Sequence, residues 1–86
     1  MSNLWRCYSW QGPADAPTDM AEPVENWTSP EGAVEFLRRE LSAHGLYSKS
    51  VLVSALADLR KGERVKLSRE LDGRSLLHLV VVPEAA

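Results

Sequence analysis

The seven residues Leu76 to Val82 are apolar except for His78. The run ends in three valines and is far too short to cross a bilayer, so it reads as a strand. Upstream, Val65-Lys66-Leu67-Ser68-Arg69 alternates, and Asp72-Gly73 is a turn pair. Together they predict a β-hairpin. A two-residue turn would set Val65 and Leu67 beside Val80 and His78. A three-residue loop, Leu71-Asp72-Gly73, pairs Val65 with Leu79 and Leu67 with Leu77, which makes one face fully apolar. That register is the expected one, with Gly73 in a left-handed bulge position. The opposite face then carries Leu76, His78, Val80 and Val82, flanked by Arg64, Lys66 and Ser68. A half-exposed antiparallel strand normally alternates apolar with polar, and this one does not. Its second face therefore calls for a cover: the 12–28 segment, a second copy of the chain, or another protein.

The remaining elements follow from local signals. Leu4 to Trp10 is aromatic-rich and unbroken, hence a strand, with Trp5, Cys7 and Ser9 on one side and Leu4, Arg6, Tyr8 and Trp10 on the other. Gln11-Gly12-Pro13 turns it. Residues 12–28 hold Pro13, Pro17 and Pro23 among alanines and acids without a period, so they read as a long acidic connection, studded with Met20, Val24 and Trp27. Ser29-Pro30-Glu31 starts a helix. Ala33, Val34, Leu37, Leu41 and His44 form its stripe, and Gly45 stops it. A second helix spans Ser48 to Lys61, burying Leu52, Ala55, Leu56 and Leu59 and ending at Gly62. The fold class is α+β: one domain over 1–86, with a strand, a long loop, two helices and a C-terminal hairpin. Its sheet is small, three-stranded and mostly antiparallel, with helices on one face.

Charge is unevenly placed. Residues 1–35 hold six acids against Arg6 alone, whereas residues 36–86 hold nine bases against six acids. An acidic segment that balances a basic face of the same molecule is the simplest reading. Cys7 is the single cysteine, so the chain can form no internal disulfide, which suits a reducing, cytoplasmic setting. His44 and His78 lack ligands at metal spacing, and the five glycines are scattered rather than clustered as a phosphate loop. No nucleophile elbow is present, and the paired carboxylates lie in the acidic connection. These features predict no catalysis, cofactor, metal or small-molecule substrate. Three tryptophans all fall in the first third, and Trp10 and Trp27 flank the acidic segment, as partner anchors would.

Gly45-Leu46-Tyr47-Ser48-Lys49-Ser50 lies between the two helices, and a hairpin bearing Asp72-Gly73-Arg74 follows. This arrangement resembles the helix-turn-helix and wing of bacterial winged-helix regulators, over roughly residues 33–82. The resemblance implies DNA binding, with Arg64, Lys66, Arg69 and Arg74 touching phosphates. The sequence departs from that pattern at Leu41 and Ser54, and Lys49, Ser50, Val53, Ser54 and Ala57 offer little to read base edges. The leading expectation is instead a non-catalytic interaction module, such as a regulator, inhibitor or accessory subunit of a bacterial complex or mobile element. It would bind another protein, or a second copy of itself, through Trp10, Trp27, Arg64, Lys66, Leu76, His78, Val80 and Val82.

Overall fold

The computed structural model describes residues 3–12, 23–71 and 75–85. Strand β1 runs Asn3–Gly12 and β2 covers Glu25–Trp27. Helix α1 spans Pro30–Ala43 and α2 Lys49–Arg60; β3 is Val65–Glu70 and β4 Leu76–Ala85. The strands form one antiparallel sheet in the order β2-β1-β4-β3. The α+β class is as expected, with helices on one face, but the sheet has four strands, not three. The extra strand lies within the segment read as a loop. Three residues are too few to display a period of two, so nothing in the pattern marks β2. It forms because Trp27 and Glu25 reach α1, while the Val24 N–H donates to the Cys7 carbonyl at 2.8 Å. Residues 13–22 of that segment lie outside the described residues.

The hairpin register differs from the expected one by a two-residue step. Val65 faces Val81, Leu67 faces Leu79 and Glu70 faces Leu76. The connection is accordingly longer than three residues: the Leu71 N–H donates to the Ser75 carbonyl at 3.0 Å across it. Gly73, expected in a bulge, lies outside the described residues. Both registers bury the same alternating residues, so hydrophobic pattern cannot choose between them and loop geometry decides. The facing of every side chain in β3 and over Leu76 to Val82 is unchanged.

The core lies between the sheet and the helices. Trp5 and Cys7 of β1, Val65 of β3, and Leu77, Leu79 and Val81 of β4 pack on Ala33, Phe36, Leu37 and Leu41 of α1 and Leu52, Ala55 and Leu59 of α2. Phe36, absent from the expected helix stripe, is among the deepest side chains, whereas His44 caps the helix end and is exposed. Both helix starts are capped as their sequences indicate. The Ser29 hydroxyl accepts from the Gly32 N–H at 3.1 Å, and the Ser48 hydroxyl from the Val51 N–H at 3.5 Å. Gly45 and Gly62 end the helices at φ of 70° and 82°, values open to glycine at little cost.

Candidate interaction surface

Alternation along the strands divides the eight proposed contact residues. Six come together on the sheet face away from the helices. Trp10 of β1 stands opposite His78, which stands opposite Ser68; Tyr8 stands opposite Val80, which stands opposite Lys66. Val82 lies beside Arg6, and Leu76 beside Gly12 and Glu70. Arg64 precedes β3 and belongs to a neighbouring groove. Trp27 lies on the helix side, half-buried against the core. Its indole N–H donates to the Glu25 carboxylate at 2.9 Å, and Arg39 grips the same carboxylate at 2.5 and 2.7 Å.

The face is graded in exposure. Val80 is 5% exposed and His78 2%, and both values are reached within a single chain. The Trp10 ring stacks on the His78 ring, with centroids 5.0 Å apart and planes at 19°. Ser68 Oγ and His78 Nδ1 are 3.1 Å apart. Around these two, Leu4, Tyr8, Trp10, Leu76 and Val82 are half-buried and Lys66 is exposed. The accessible part of this face is the aromatic and aliphatic rim, with Val80 and His78 beneath it. Tyr8, which was not singled out in the sequence, joins the rim. Its place was legible, because it shares a strand side with Trp10.

Between α2 and β3 runs a groove of about 450 Å³. Val51, Ala55, Val65 and Leu67 give it apolar ground, Ser50, Ser54 and Asp58 line the helix side, and Arg64, Lys66 and Arg69 the strand side. The ion pairs among the described residues are Arg6–Glu84, Arg38–Glu35, Arg39–Glu25 and Arg60–Glu31. None includes the three bases of the groove. The described acids of residues 1–35 thus pair with Arg38, Arg39 and Arg60 on the helices, not with β3. Asp15, Asp19 and Glu22 lie outside the described residues.

Cys7 is fully buried, and its thiol points at the Trp5 carbonyl, 3.8 Å away. Burial above all, with the nearby Glu25 carboxylate adding to it and Arg39 opposing, pushes the thiol up to about 12. A cysteine nucleophile needs the opposite shift and access to solvent. Among the described residues, no three His, Cys, Asp or Glu side chains converge as metal ligands. No described helix is long and apolar enough to cross a membrane. Compared with protein-family models, curated proteins and solved structures, the chain matches none.

Proposed function

We propose that this chain is a non-catalytic interaction module that docks another protein on the helix-free face of its sheet, acting as a regulator, inhibitor or accessory subunit. One observation carries the reading: Leu76 and Val82 from β4, with Tyr8 and Trp10 from β1, form a half-buried apolar rim on a face that neither helix covers. Large aromatic side chains held by a rigid sheet lose little freedom on binding, so they make effective anchors. The deeply buried Cys7 thiol supports a non-catalytic role, since it is poorly placed to attack a substrate.

The test compares Val82→Glu, on the rim, with Val53→Glu, on an exposed part of α2. A partner retained by the wild-type chain and by Val53→Glu should lose about tenfold or more in affinity for Val82→Glu. That is the scale of about 1.5–3 kcal/mol for one buried aliphatic side chain. Equal retention by all three folded proteins would remove this face from the reading. The helix pair and following hairpin keep DNA binding as a second reading, and its distinguishing measurement is salt dependence.

A further inference from the structure

The open edge of β3 is a different surface from the outer face. β3 ends the sheet order, so alternate residues of Val65–Glu70 turn their N–H and C=O groups away from β4. An unpaired edge is a template for another strand, and natural edges are commonly guarded by lysine or other charges. Here the guard is Lys66 and Arg69, with Arg64 just before the strand, and none of the three has a carboxylate partner among the described residues. A second copy of β3 would bring Arg64, Lys66 and Arg69 against its one acid, Glu70, so the two edges would still meet with like net charge, which disfavours such pairing. An acidic strand meets the reverse situation.

We propose that the β3 edge and the groove between β3 and α2 take up an extended acidic segment of a partner protein as a fifth strand of the sheet. The pleat gives the segment two sets of side chains. Those turned toward the helices lie over Val51, Ala55, Val65 and Leu67, so small or aliphatic residues fit there. Carboxylates on the other set run beside Lys66, while one at an end of the segment on the helix side meets Arg64 or Arg69, which line the groove. Main-chain bonds to β3 supply affinity without regard to sequence, while the groove and the bases supply selection. The inference rests on the reading of the chain as an interaction module, but uses a separate surface that shares only Lys66 with the outer face.

The probe is a short labelled peptide of alternating Val and Glu, with a Val-Lys peptide of equal length as control. Binding is followed by fluorescence anisotropy, and the site is mapped by backbone amide NMR shifts. The acidic peptide should bind, shift amides of β3 and of α2 along Ser50 to Asp58, and weaken about tenfold or more with Lys66→Glu combined with Arg69→Glu. Lys66→Arg should retain binding. Ser54→Trp fills the groove while leaving every charge in place, and should also weaken it. Unchanged thermal unfolding of these surface variants guards against a folding artefact. Equal binding of both peptides, shifts confined to Tyr8 and Val82, or indifference to all variants would overturn the proposal. So would duplex DNA displacing the peptide from β3 at lower concentration. Val82→Glu should leave peptide binding intact, so failure here and failure of the outer-face reading are distinguishable.

Discussion

A Cβ placed on Gly32 would run into the Trp27 ring, so the closeness of β2 to α1 depends on a missing methyl group. Alanine is the better helix former by up to about 1 kcal/mol, but overpacking a filled site costs about 1–3 kcal/mol. Overpacking should prevail: Gly32→Ala should lower stability in chemical denaturation, and Trp27→Leu should recover part of the loss in the double variant. Cys7 gives a second prediction. Below its ordinary value of 9.0 the thiol keeps its proton folded or unfolded, and adds no pH dependence. Between that value and about 12, the unfolded chain ionises first, which draws the equilibrium toward unfolding. Stability of the wild type should thus fall more steeply with rising alkaline pH than that of Cys7→Ala. Alkylation of the native thiol should be slow and become rapid on unfolding. Strand alternation placed Cys7 on one side with Trp5, but did not say that this side is the core side. The Gly32–Trp27 contact was not legible, since a helix glycine announces only weak propensity and no local pattern says which ring will lie over it.

Between elements, side-chain pairs do the joining. Glu31 in the first turn of α1 accepts from Arg60 in the last turn of α2 at 2.8 and 3.1 Å, and Glu25 of β2 accepts from Arg39 of α1. The hydrogen bond from Arg60 holds the Glu31 carboxyl below its ordinary value of 4.5. A carboxyl depressed in the folded state contributes stability above its unfolded value, and loses it as pH falls through the folded one. Both groups are exposed, so Glu31→Gln should change little at neutral pH. The variant should instead lose less stability than wild type on acidification below the carboxylate range, as read by urea denaturation across a pH series. At this scale the sequence was informative wherever a signal is local. Ser29, Ser48, Gly45 and Gly62 bounded both helices, and alternation oriented the hairpin faces. Strand β2 escaped because three residues carry no period, and the exact hairpin pairing escaped because two registers bury the same side chains. The β3–α2 groove escaped as well: it needs two elements placed side by side, and neither Ser54 nor Arg69 signals that alone.

Across the whole molecule, the described acids of residues 1–35 are used on the helix side, which leaves the positive charge of residues 64–69 open at one edge of the sheet. That distribution bears on nucleic acid. Each phosphate neutralised on duplex DNA contributes about −0.9 to the slope of log affinity against log salt. Arg74, the fourth base of the expected wing, lies outside the described residues; if Arg64, Lys66 and Arg69 were all engaged, the slope would be about −3, well short of a protein making six or more such contacts. Asp58, Ser50 and Ser54 are the polar α2 side chains that line the same groove, so base reading through bidentate pairs has few side chains to draw on. Duplex DNA should therefore bind weakly, with a shallow salt slope and no preference among sequences. The measurement is a titration of several unrelated duplexes at a series of salt concentrations. Tight binding to one duplex at physiological salt, with a slope steeper than about −5, would require many more phosphate contacts than β3 supplies and would favour the winged-helix reading. A shallow slope that Lys66→Glu abolishes would instead mark nonspecific attraction by the same bases that we assign to an acidic peptide.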